Sequence, residues 1–192
     1  VYVNGVLAKT NKNGYTNFYV DIARYLNFGE ENEIKVVADN SSEENSRWYS
    51  GSGIYRGVSL YVGDPIQIPL NGVRITTEEA DKDAAVVEIS TMVANRSRKK
   101  EKLVVTVKFE DEEHQIYEDR VHLTSFAESQ NIVHQKIAIE KPKLWNCETP
   151  HLYRCTIQIY VGEELLDEQE LSYGIRKITL DALRGLLSLI HI

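Results

Sequence analysis

Apolar and polar side chains alternate with a period of two along most of this chain, the signature of strands that bury one face. In Ala85–Ala94, Val87, Ile89, Thr91 and Val93 fall on one side. In Leu103–Glu110, Leu103, Val105, Val107 and Phe109 alternate with Val104, Thr106 and Lys108. In Leu152–Val161, Tyr153, Cys155, Ile157, Ile159 and Val161 alternate with Arg154, Thr156, Gln158 and Tyr160. Such a pattern belongs to antiparallel sheets with one face on a core. Asn13-Gly14 and Asn71-Gly72 tolerate positive φ and predict tight turns, and Gly162 and Gly174 punctuate later strands. Asp21–Leu26 predicts one short helical turn, with Ile22, Tyr25 and Leu26 on one side.

Proline marks a boundary near Gly63–Pro69, because Pro65 and Pro69 offer no ladder donor. After it, about seven strands over roughly 105 residues suit an immunoglobulin-like sandwich. Before it, about three to five strands with long loops are too few to bury two sheets. That first part reads as the back half of a domain. The fold class is all-β.

The 192 residues carry 42% hydrophobic side chains, enough for a real core, and a formal charge of −7. Both signs are interspersed, so no basic face invites nucleic acid or an anionic membrane. No run reaches the roughly 18 apolar residues of a membrane span. Glu110–Glu113 reads as a solvated hairpin turn, since the oxygen-ligand spacing of a calcium loop is missing. Cys147 and Cys155 make no disulfide framework or metal spacing, and predict two reduced thiols with Cys155 in a strand core.

The densest chemistry lies in Asn45–Tyr61, NSRWYSGSGIYRGVSLY. Arg47, Trp48, Tyr49, Tyr55 and Arg56 crowd around Gly51 and Gly53, which permit a bulge or close approach. Flat aromatic faces beside charged forks suit a sugar, whose C–H faces stack and whose hydroxyls need partners. The same residues could instead plug a seam between domains. A nucleophile elbow at Ser52 fails at Ser50 and Ile54, and a dinucleotide fingerprint from Gly51 fails at Arg56. His114, His122, His134, His151 and His191 show no metal spacing and read as structural or exposed. No carboxylate pair stands out as the facing pair a glycosidase needs, about 5 Å apart for retention. Asn40-Ser41-Ser42 and Asn95-Arg96-Ser97 fit the glycosylation sequon.

Taken in order, VYVNG at Val1–Gly5, NGYTNFYVDIARYL at Asn13–Leu26, GEENEIKVVADN at Gly29–Asn40 and RWYSGSGIYRGVSLYV at Arg47–Val62 resemble glycoside hydrolase family 2. This is the family of β-galactosidases, β-glucuronidases and β-mannosidases, and the RWYSGSGIYR block looks most like its β-galactosidase branch. PKLWNCETPHLY at Pro142–Tyr153 and YGIRKITLDALRG at Tyr173–Gly185 resemble the family's sandwich signature and its lead-in to the catalytic barrel. The resemblance implies residues 1–66 as the C-terminal half of a galactose-binding-like jelly roll. It implies 67–178 as the immunoglobulin-like sandwich and 179–186 as the lead-in to a TIM barrel. Residues 187–192, LSLIHI, match one reading frame of a widely used sequencing adaptor and are expected to be a non-native tail.

By the same resemblance, both catalytic glutamates lie on the barrel, so no catalytic residue is expected in this chain. The loop holding Arg47 lies near the active-site mouth in family members, making Arg47 and then Trp48 the candidate substrate contacts. Some members carry an aspartate in this loop that helps bind sugar and a cation. Back-counting from Gly53-Ile54-Tyr55-Arg56 places Arg47 there, so no metal ligand or cofactor is expected in this chain, although a divalent or monovalent cation in the parent enzyme stays open. The implied partners are a β-galactoside or related β-glycoside, the barrel of the same chain, and a second copy in a homo-oligomer. Bacterial cytoplasm and periplasm both fit.

Overall fold

The computed structural model of the chain describes residues 1–41, 51–182, 185–188 and 190–191. They form two compact units, Val1–Leu60 and Tyr61–Ile192. The fold is β throughout, apart from a single 3-10 turn at Ala23–Tyr25 among the described residues.

The first unit holds three short strands, β1 (Tyr2–Val3), β2 (Val6–Leu7) and β3 (Ile34–Lys35), in the order β2-β1-β3. Asn4 and Gly5, at φ 49° and 79°, make the two-residue turn that pairs Val3 with Val6. The Asn4 amide donates to the Tyr25 carbonyl and to Asn32 Oδ1, both at 2.8 Å, so this turn also fixes the 3-10 segment. The positive-φ turn predicted at Asn13-Gly14 is not of that kind. Neither residue takes positive φ, and the bend is set by Asn13 Oδ1 accepting from the Tyr15 amide at 2.8 Å. Val3 is the buried apolar side chain of this unit among its described residues. Phe28, Val58 and Tyr15 stand 84%, 77% and 69% exposed, so the described residues of this unit assemble no core of their own.

The second unit is a two-sheet sandwich. Its strands are β4 (Ile66–Gln67), β5 (Val73–Ala80), β6 (Ala84–Asn95), β7 (Glu101–Glu110), β8 (Ile116–Ser125), β9 (Ser129–Glu140), β10 (Tyr153–Val161) and β11 (Glu164–Tyr173). One sheet runs β11-β10-β7-β8. In the other, β6 pairs β9 along its whole length, from Ala84↔Glu140 to Asn95↔Ser129, and takes β5 and β4 on its opposite edge. The chain changes sheet between β6 and β7, between β8 and β9, and again between β9 and β10. That is the Greek-key path of an immunoglobulin-like sandwich. Beyond it, β12 (Ile178–Asp181), β13 (Gly185–Ser188) and β14 (Ile190–His191) form a small antiparallel meander.

The alternation read from the sequence is the core. Val87, Ile89, Thr91 and Val93 of β6 are fully buried, as are Val105, Val107 and Phe109 of β7 and Cys155, Ile157 and Ile159 of β10. Each such aliphatic or aromatic side chain contributes about 1.5–3 kcal/mol on burial. Val161 is only partly buried, after a register shift between Ile159 and Tyr160. At the predicted Asn71-Gly72 turn, Asn71 takes φ 59° and the Gly72 amide donates to the Pro69 carbonyl at 2.8 Å. Gly162, at φ 60°, opens the two-residue turn between β10 and β11.

Two polar inserts close the sandwich. Gln135 of β9, 2% exposed, sends Nε2 across to the other sheet, to the Asp119 carbonyl and Oδ2 at 3.1 Å each. At one end, Asn95 is 1% exposed and its amide is saturated. Nδ2 donates to the carbonyls of Lys99 (3.0 Å) and Ser125 (3.4 Å), and Oδ1 accepts from the Ser97 amide (2.9 Å) and hydroxyl (2.7 Å). Asn95 of the Asn95-Arg96-Ser97 sequon is therefore a buried turn cap.

Candidate functional site

Arg47 and Trp48, the side chains singled out for substrate contact, lie outside the described residues. What is described of their loop is its second half. Gly53 sits at φ 127°, a conformation open to glycine and strained for other residues. Tyr55 is 62% exposed, and the Arg56 guanidinium lies 5.3 Å from its ring centroid. This is a solvent-facing aromatic–cation pair, able to offer a stacking face and a hydrogen-bonding fork side by side.

Elsewhere the polar clusters can be judged by geometry. On the outer face of β6 and β9, Ser90, His134 and Glu88 meet in a group that superficially suggests a nucleophile relay. Ser90 Oγ at 3.0 Å and Glu88 Oε1 at 2.9 Å both address the same nitrogen, Nδ1 of His134. A relay needs the acid on one nitrogen and the hydroxyl on the other, so this group cannot pass a proton from serine to histidine. The His134 contact, aided by a hydrogen bond with Glu78 and the Lys136 charge, holds the Glu88 carboxyl below its ordinary range. Lys136, bound to both oxygens of Glu78 at 2.8 Å, is held above its own. These are surface pairs of small energetic worth.

The acidic turn joining β7 to β8 is the solvated hairpin turn expected for Glu110–Glu113, and it also carries surface ion pairs. It is exposed but engaged. Lys143 reaches Glu113 at 2.9 Å, Arg154 lies 3.9 Å from Glu110, and His151 lies 4.0 Å from Glu112. His114 also contacts Glu110. Among the described residues no group of three His, Cys, Asp or Glu side chains is placed to hold a metal ion.

The PKLWNCETPHLY segment folds into a tight loop whose charged end binds that turn and whose aromatic end packs inward. Tyr153 is 2% exposed, and its hydroxyl accepts from the Lys143 amide at 2.9 Å while burial pushes its pKa up. Cys147 is exposed in the loop and Cys155 is buried in β10, where desolvation pushes its thiol up to about 12. Only a thiolate is nucleophilic, so alkylation of the native chain at pH 8 is expected to modify Cys147 alone. Mass spectrometry should record one adduct in buffer and two in urea. The sign for stability follows. Above roughly pH 8.5 the unfolded Cys155 ionises while the folded one stays protonated, so this residue lowers folding stability as pH rises from there toward 12.

The described surface offers shallow recesses, one of about 220 Å³ beside Asn95 and Ser129 and one of about 480 Å³ between Lys9, Tyr19 and Arg24. Neither joins two facing carboxylates. The second unit is thus an immunoglobulin-like β-sandwich module that offers packing faces and a polar rim. Residues 68–176, more than half of the chain, match the profile of glycosyl hydrolases family 2, and the chain belongs to that family. It is 34% identical over 186 residues to the β-galactosidase BoGH2A of Bacteroides ovatus, covering 96% of this chain and 22% of that protein. It is 25% identical over 197 residues to a β-glucuronidase of Formosa agariphila, covering 92% of this chain and 20% of that protein. The crystal structure of a glycosyl hydrolase family 2 member from Bacteroides cellulosilyticus superposes with a TM-score of 0.90 at 28% identity, over 98% of this chain and 26% of that one. The chain therefore spans about a fifth of the length of the curated relatives it matches.

Proposed function

We propose that this chain is the non-catalytic portion of a retaining exo-β-glycosidase that removes terminal β-galactosides. The observation that carries the reading is the 34% identity to a β-galactosidase over 96% of the chain, first unit and sandwich together. In this reading residues 1–66 end a sugar-binding jelly roll, 67–178 are a spacer sandwich, and 179–186 lead into the barrel. Retention needs two carboxylates about 5 Å apart, one protonating the leaving oxygen and one forming the glycosyl intermediate. Apart from Asp119, which faces Gln135 of the other sheet, most of the described acidic side chains sit on outer faces and turns, many of them held by lysine, arginine or histidine, and in this reading the catalytic pair belongs to another part of the protein. Arg47 and Trp48 would line the pocket wall, the guanidinium forking onto sugar hydroxyls and the indole covering a C–H face.

β-Glucuronidase is the second reading, favoured by the relative from Formosa agariphila. Both readings are tested with the protein encoded by the complete gene. Release of p-nitrophenol from the aryl β-D-galactoside, with the β-anomer formed first, supports the first reading. Preference for the β-D-glucuronide supports the second. In the same protein Arg47→Ala is expected to raise KM by an amount worth roughly 1–3 kcal/mol, with kcat less affected. An unchanged KM would remove Arg47 from the pocket wall.

A further inference from the structure

The chain leaves the sandwich through Tyr173–Lys177, the end of β11 and a stretch outside regular strand pairing, yet each of its residues is tied down. The Tyr173 hydroxyl meets Thr77 Oγ1 at 2.8 Å. Gly174 lies flat against Trp145, where an added Cβ would stand 2.6 Å from the ring's Cδ1 and 2.9 Å from Trp145 Cβ. Ile175 is 0% exposed, and its carbonyl accepts from the Trp145 amide at 2.9 Å. The Arg176 guanidinium stacks 4.9 Å from the centre of the same ring. Lys177 pairs with Glu79 of β5.

Trp145 itself is held by a rigid loop. It bridges Pro150 in antiparallel fashion, and Asn146 Oδ1 accepts from the Glu148 and Thr149 amides at 2.9 and 2.7 Å. Trp145 therefore contacts three consecutive residues of the exit segment: its indole meets Gly174 by van der Waals contact and Arg176 by cation–π stacking, and its backbone amide donates to the Ile175 carbonyl.

We infer that Trp145 is a positioning residue, a latch that turns Tyr173–Lys177 into a rigid strap and fixes the direction in which the chain departs into β12. Glycine at 174 is required by the close approach, since any side chain there displaces the indole. A flexible linker between modules carries small polar residues and few contacts. This segment has the opposite character. The strap concerns this chain alone and stands or falls independently of the glycosidase reading.

The strap contains two tryptic bonds, Arg176–Lys177 and Lys177–Ile178, which makes the inference directly testable on the 192-residue chain. The Arg98–Lys99 bond, in the exposed turn between β6 and β7, serves as the open reference. Lys108–Phe109 and Arg154–Cys155, inside β7 and β10, report global unfolding. Native trypsin digestion followed by mass spectrometry is expected to cut the strap at least about ten-fold more slowly than the open turn, because cleavage must await local opening. Trp145→Ala is expected to bring strap cleavage to within roughly three-fold of the turn while the β7 and β10 bonds stay protected, and Trp145→Phe to restore much of the protection. The inference is overturned if the wild-type strap is cut as fast as the turn, if Trp145→Ala leaves its rate unchanged, or if the strap opens only together with the β7 and β10 bonds.

Discussion

Phe109→Ala is expected to destabilise the sandwich by about 4 kcal/mol, because it empties the largest side-chain volume at the centre of the core. Phe109 is 0% exposed on β7, and its ring lies 6.2 Å from the centroids of both Tyr153 and Tyr173, tilted by 42° and 76°. Those neighbours cannot relax into the hole. The Tyr153 hydroxyl is held by the Lys143 amide and the Tyr173 hydroxyl by Thr77. The loss should therefore be a cavity loss, larger than the transfer of the ring alone. Urea unfolding followed by near-ultraviolet circular dichroism checks it. The midpoint should fall sharply with little change in the slope, since the same surface is exposed on unfolding. A cost below about 1 kcal/mol would mean that the two sheets are not packed as described.

Asn95→Ala should cost about 2 kcal/mol, more than a surface asparagine can. Its amide stitches the β6–β7 turn to the last residue of β8, and removing it takes that donor from the Lys99 and Ser125 carbonyls, the latter in a residue that is 0% exposed. The neighbouring Asn131 amide is already spent on the hydroxyls of Ser125 and Ser129, so it cannot move over to compensate. Differential scanning calorimetry is expected to record a fall in Tm of roughly 5 °C. The same geometry makes a second outcome measurable. Nδ2 is the atom a glycan would occupy, so the sequon at Asn95 should remain unmodified when the chain passes through a secretory pathway.

The strands that announced themselves in the sequence are those with clean alternation. β6, β7 and β10 each place at least four apolar or small side chains in register on the buried face, and nothing else competes with that period. β8 was harder to read because it is an edge strand with Asp119 on its inner side, kept there by the Gln135 amide of the other sheet. That pairing crosses between strands distant in sequence and leaves no local trace. Asn4-Gly5 and Asn13-Gly14 carry the same turn signal, yet only the first adopts positive φ, since β1 and β2 flank it with pairing residues. Gly174 looked like punctuation. Its actual burden, room for the Trp145 ring, depends on a residue in another loop. The glycosidase resemblance was legible in short blocks such as RWYSGSGIYR and PKLWNCETPHLY. Sugar contact is a different matter, because it needs groups from several parts of a whole protein held around one pocket.

We propose that this chain supports catalysis without performing it. The most direct measurement compares p-nitrophenyl β-D-galactoside hydrolysis by the purified 192-residue chain and by the protein encoded at its complete locus. Turnover by the complete protein, with retention, and none by the chain alone is the predicted result. Hydrolysis by the chain alone, or a complete protein inert toward both β-galactosides and β-glucuronides, would contradict it.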